Sequence, residues 1–154
     1  MLRTLTSSPN DYTLTILRLV AGIVFFAHGA QLGLGWFGGY GYVATMGFFT
    51  EQLHIPAPFA FLAIAAQLLG GLGLIIGLFT RIAAFGIGVT MATAAAMNHL
   101  PNGLFMNWYG SQKGEGFEYH LLAIAIVVTL VVRGGGALSL DRLVAAGRSG
   151  KRRV

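Results

Sequence analysis

Four apolar stretches, each close to the length that crosses a lipid bilayer, constrain this chain more than any other feature. They cover residues 12–34, 59–79, 82–100 and 117–132. A bilayer core about 30 Å thick takes roughly 20 mainly apolar residues per helix. Pro56 and Pro58 mark the start of the second stretch, Pro101 closes the third, and Gly134, Gly135 and Gly136 close the fourth. The fourth has the shortest uncharged run, with Glu118 and His120 in its first turns. Charge agrees with hydropathy. Only 10% of the 154 residues are charged, against about a quarter in a soluble domain, and the mean hydropathy is +0.71. An ordinary water-soluble enzyme is excluded. The expected fold is all-α: a single domain over 1–154, built as an integral membrane four-helix bundle.

Residues 40–53 are too short and too polar at their end to span. Tyr40, Val43, Phe48 and Phe49 suit a short interfacial or re-entrant helix between the first and second spans. Arg3 followed by an apolar run resembles a signal peptide, but Arg18 and His28 interrupt that run and three more spans follow, so a cleaved leader is not expected. Arg3, Arg81, Arg133 and the basic tail over 133–154 (Arg142, Arg148, Lys151, Arg152, Arg153) fall on one side of a four-span chain, and Lys113 alone falls on the other. The positive-inside rule then places the protein in the cell (inner) membrane with both termini cytoplasmic. It also explains the isoelectric point near 10.1 by a tail against anionic lipid, not by nucleic acid.

The 23 glycines fit the same picture. In water a mid-helix glycine costs roughly 1 kcal/mol relative to alanine, whereas in a bilayer small residues let helices approach. Gly73 and Gly77 form a GxxxG pair, preceded by Gly70 and Gly71, and Gly86, Gly88 and residues 92–96 give the third span a small face. Tight packing is the reading for all of them.

Polar residues sort by depth. The arginines crowd the cytoplasmic side, while His28, His54, His99 and His120 gather toward the outer leaflet with Glu51, Asn98, Asn107, Glu115 and Glu118. Ionisable groups inside a membrane are costly and point to function. His28 lies several turns deep, and Gly29 beside it would leave room for a ligand. Glu118 is a partner for His28 or His99, and Gln67 is placed to hydrogen-bond across helices. Arg18, nearer the cytoplasmic end, is expected to snorkel or to pair with Asp141 in a structural role. The candidate outer-leaflet pocket thus comprises His28, Gly29, Gln67, His99, Glu118 and His120.

The chemistry of this pocket is restricted. Without cysteine the chain holds no disulfide, thiolate nucleophile or iron–sulfur cluster. Glu118 and His120 are two residues apart and project about 200° apart on a helix. No histidine pair has i, i+4 spacing, so no metal is expected. Histidines on two helices, such as His28 and His99, could bracket a haem, but no motif supports one. Gly33, Gly35 and Gly38 match a dinucleotide fingerprint but follow a membrane span, not a strand. They read instead as a glycine-rich exit carrying Trp36 and Phe37. Aromatic and apolar side chains beside histidine and carboxylate would suit a quinone head group.

From about Leu17 to Leu143 the chain resembles the DoxX family of small four-span membrane proteins. The resemblance rests on Arg18-Leu19 with Gly22, on His28-Gly29-x-Gln31, and on Gly35-Trp36-Phe37-Gly38-Gly39. It continues through Gln67-Leu68-Leu69-Gly70-Gly71, Gly77-Leu78-Phe79-Thr80-Arg81 and Gly116-Phe117-Glu118-Tyr119. Gly134-x-Gly136-x-x-Ser139-Leu140-Asp141 completes it. Leu32 and Gln67 depart from the lysine and glutamate frequent in the family, which leaves no proton carrier at position 67. The resemblance implies a four-helix membrane bundle linked to membrane redox chemistry, since the namesake is the small subunit of a thiosulfate:quinone oxidoreductase. The expected role is a subunit or quinone-side component of an oxidoreductase assembly, with no cofactor of its own beyond quinone. Its expected partners are lipid, redox subunits and other copies of itself. The alternatives are a stand-alone carrier for small apolar or quinone-like compounds, and a scaffold without chemistry.

Overall fold

A computed structural model describes residues 6–150, with side chains as far as residue 146. Arg3, Lys151, Arg152 and Arg153 lie outside the described residues, as does the side chain of Arg148. Helix α1 spans Tyr12–Leu34, and α2 runs over Gly41–Gly47 with a π-helical continuation at Phe48–Gln52. Helix α3 spans Ala57–Ile76. Helix α4 spans Thr80–Ala94 and continues in π geometry through Ala95–His99. Helix α5 covers Glu118–Arg133 and α6 covers Leu140–Gly150. Among the described residues there is no strand. Three helices are long and apolar enough to cross a membrane: Tyr12–Leu34, Ala57–Ile76 and Thr80–Asn102. Helix α5, with 16 residues, is about 24 Å long and packs against α4 and α1.

Local chemistry sets the helix ends. The Asp11 carboxylate accepts from the N–H groups of Thr13 and Leu14 and so caps α1. Gly35 closes α1 and Gly77 closes α3, each at φ 72, a conformation that costs glycine little. Helix α3 begins at Ala57, two residues before the expected start, because Pro58 is tolerated in a first turn. It ends at Ile76 and not near Phe79, because Gly77 stops it.

The helices pack in the order α1–α3–α4–α5, with α5 returning to α1. Ala21, Phe25, Leu74, Ile87, Met91 and Val127 lie in the core, while one face of α1 (Tyr12, Ile16, Val20, Ile23) stays widely exposed. Apolar faces of this kind on every long helix require lipid around them.

The glycines do not all act as expected. A Cβ on Gly29 would stand 2.2 Å from the Leu68 backbone nitrogen, and one on Gly71 would stand 2.4 Å from that of Phe26. Gly29 is therefore the crossing point of α1 and α3. The space beside it is filled by the Leu68 backbone, not left open for a ligand. Gly77, expected as half of a GxxxG contact, ends its helix instead, while Gly70 and Gly73 face α4 and the α3–α4 turn.

Arg133 approaches Asp11 at 3.8 Å, and Arg81 donates to the carbonyls of Val131, Val132 and Ser7. These contacts bring residues 7–11, the α3–α4 turn and the end of α5 together at what we call the terminal end. The histidine end is opposite. At the terminal end Arg18 is 1% exposed and does not snorkel. Its guanidinium donates to the carbonyls of Leu74, Ile75, Gly135 and Leu138. Asp141 makes no direct bond to it. Both Asp141 oxygens accept instead from the N–H groups of Phe79 and Thr80, at 2.8 and 2.9 Å. A cation thus closes the C-terminus of α3 and an anion the N-terminus of α4, matching both helix dipoles.

Candidate functional site

At the histidine end, α1, α4 and α5 each contribute rings to one cluster. The π-helical turn at the end of α4 carries Asn98 and His99, and such turns are frequent at functional sites. The ring of His99 lies 4.1 Å from that of His120 at an interplanar angle of 37°. His120 meets the adjacent Tyr119 edge to face at 5.5 Å, and Tyr119 meets His28 at 6.5 Å. The contacts run His28, Tyr119, His120, His99, from α1 through α5 to α4. At the far end His99 Nδ1–H donates to the Glu115 carbonyl at 2.9 Å.

Two polar atoms inside this cluster are buried without a partner: the Tyr119 hydroxyl and Nδ1 of His120. Buried polar groups are nearly always hydrogen-bonded, and leaving one unpaired costs about 1–3 kcal/mol. The Tyr119 hydroxyl can donate or accept, and so can His120 Nδ1 according to tautomer. Both lie on rings of the same cluster, where each could pair with an oxygen-bearing molecule.

Of the residues expected in an outer pocket, His28, His99 and His120 join the cluster. The other three do not. Gly29 belongs to the α1–α3 crossing. Gln67 is buried in α3, and its side chain makes no hydrogen bond to the described residues. Glu118 accepts from Trp108 Nε1 at 3.2 Å and not from His28 or His99, because the loop after α4 folds over the start of α5. Asn107 and Glu115 hold that loop, Asn107 by bonds to Gln112 and Glu115 through its carboxylate on the Asn107 N–H. Sequence reasoning missed Tyr119. Its signal was present, a phenol one residue from a histidine in the first turn of a span, but aromatic residues are common at that depth. Among the described residues no three histidine or carboxylate side chains come together as a metal site would require.

The DoxX family model matches residues 13–100, which carry α1 to α4. The chain belongs to the DoxX family. Two relatives extend the likeness past the matched region. A Bacillus subtilis protein named "Putative oxidoreductase CatD" is 31% identical over 133 residues, covering 86% of this chain and 87% of that protein. An uncharacterized protein of Haemophilus influenzae is 31% identical over 136 residues, covering 84% and 89%. No solved structure is significantly similar to this DoxX protein.

Proposed function

We propose that this DoxX protein is the quinone-side component of a membrane oxidoreductase assembly, with the ring cluster of the histidine end receiving a quinone head group. The observation that carries this reading is the pair of buried, unpartnered groups, the Tyr119 hydroxyl and His120 Nδ1. A quinone has two carbonyl oxygens and a flat ring, and the cluster offers two hydrogen-bonding groups within an aromatic wall. The name of the Bacillus relative supports a redox context. With no cysteine in the sequence, any thiolate-held redox centre would come from a partner subunit.

In membranes containing the whole assembly, Tyr119→Phe removes one hydroxyl and nothing else. It is expected to raise the KM for quinone about tenfold, the worth of one hydrogen bond of about 1.4 kcal/mol, while the amount of inserted protein stays constant. His120→Phe is expected to do the same or more. Unchanged quinone kinetics in both variants would remove the cluster from the site. Native mass spectrometry of the gently solubilised protein supplies the second arm. Co-purifying subunits carrying flavin, haem or metal are the expected result, and a lone chain would favour a carrier.

The proposal includes an orientation: the terminal end in the cytoplasm and the histidine end outside, the arrangement that the positive-inside rule favours. The absence of cysteine makes this simple to test. Ser111→Cys, on the exposed loop, should react with a membrane-impermeant maleimide in spheroplasts. Ala146→Cys, exposed on α6, should react only after the membrane is opened. The reverse pattern would invert the protein.

A further inference from the structure

Helices α3 and α4 flank a groove of about 950 Å³ that none of the ring-cluster residues lines. Its floor is made of small residues, including Ala66, Gly70, Ala83 and Gly86. Gly86 fits closely there, since a Cβ on it would stand 3.3 Å from that of Ala66. The walls are apolar, and several of their residues (Phe59, Leu62, Leu69, Phe85, Val89) are also widely exposed, so the groove opens sideways. Leu78 and Phe79 bound it at the terminal end. The π-helical end of α2 and the segment before α3 line it at the histidine end, through Phe49 and residues 53–56.

The polar side chains are placed asymmetrically. His54 and Asn98, both exposed, lie at the histidine end, Thr90 and Thr93 also line the groove, and nothing charged lines the rest. His54 is held at φ 53, a left-handed conformation in which non-glycine residues are uncommon and which tends to mark ligand clamps. Neither side chain is hydrogen-bonded to another described residue.

We propose that this groove binds one long hydrocarbon chain bearing a hydrogen-bonding head, the chain lying along α3 and α4 and the head against His54 and Asn98. The lateral opening, the apolar length and the polar pair at one end suit this occupant. From Phe79 to Asn98 the groove follows about 29 Å of helix. Its 950 Å³ then give a mean cross-section of roughly 30 Å² over that length. The site is independent of the quinone reading, because it shares no residue with the ring cluster.

Delipidated full-length protein in detergent, titrated with geranylgeraniol or palmitic acid and followed by native mass spectrometry, tests it. One adduct per chain, saturating, is expected. Preference for the alcohol would assign an isoprenoid as the source, and preference for the acid would assign a fatty acyl chain. Thr93→Trp and Leu69→Trp fill the groove from its two walls and should each lower occupancy at least tenfold. Val128→Trp, on the exposed face of α5, should leave it unchanged. His54→Ala with Asn98→Ala should weaken geranylgeraniol severalfold. Adducts that accumulate without saturation would overturn the site. So would groove-filling variants that bind like Val128→Trp, a dimer that the groove-filling variants dissociate, or a double variant with unaltered affinity.

Discussion

Replacing Arg18 with methionine is expected to destabilise the bundle by about 3–5 kcal/mol, the usual cost of removing one partner from a buried charged network. Four carbonyls lose their donor at once. Those of Leu74 and Ile75 belong to the last turn of α3, where no intrahelical N–H can reach them. Those of Gly135 and Leu138 belong to the segment joining α5 to α6. Methionine matches the stem in length but leaves these oxygens buried and unpaired, next to an Asp141 carboxylate that has lost its nearby positive field. Unfolding by SDS in mixed micelles, followed by circular dichroism, measures the loss. Arg18→Lys should recover only part of it, since a single ammonium cannot reproduce the fork that reaches both segments. A loss below about 1 kcal/mol, the scale of an exposed ion pair, would mean that the guanidinium is not the clasp described here.

That clasp also shows how far the sequence could be read. Arg18, the Gly77–Arg81 stretch and the Gly134–Asp141 stretch lie far apart in the chain, and each is weak as a motif. The structure brings all three to one place. Gly135 and Gly136 let the chain pass beside Arg18 and Thr15, and Asp141 ends 62 residues from the Phe79 N–H that it caps. The spans were legible because hydropathy over about 20 residues is a local property. The partner of Asp141 was not, because Arg18 is the obvious countercharge and nothing in one dimension shows two backbone N–H groups competing for the same carboxylate. The ring cluster was half legible for a similar reason. Depth sorting found its three histidines but not Tyr119. Pairing Glu118 with a histidine failed because Trp108, on a loop with no periodicity, reaches that carboxylate first.

The second large effect falls on Gly29. Its substitution by alanine should cost about 3 kcal/mol, the upper end for overpacking, because the added carbon would meet the Leu68 backbone at 2.2 Å and not a side chain that can turn aside. Gly71→Ala should be nearly as severe, since the backbone of Phe26 stands 2.4 Å from its Cβ position. Gly22→Ala should cost less, with Ile75 N at 2.8 Å. Gly33→Ala should cost under about 1 kcal/mol, because its nearest neighbours are the ends of the Leu68 and Ile64 side chains at 3.3 and 3.4 Å. This ordering separates close approach from helix propensity, which would favour alanine at all four positions. In a bilayer close approach should dominate, because lipid is as apolar as the helix faces and association depends on packing. Gly29→Ala should also separate α1 from the rest of the bundle at the level of His28, the next residue. The His28–Tyr119 contact would loosen while His99 and His120, on α4 and α5, stay stacked. Quinone binding that depends on Tyr119 and His120 should then survive in Gly29→Ala protein that remains folded, and a loss matching that of Tyr119→Phe would bring α1 into the site.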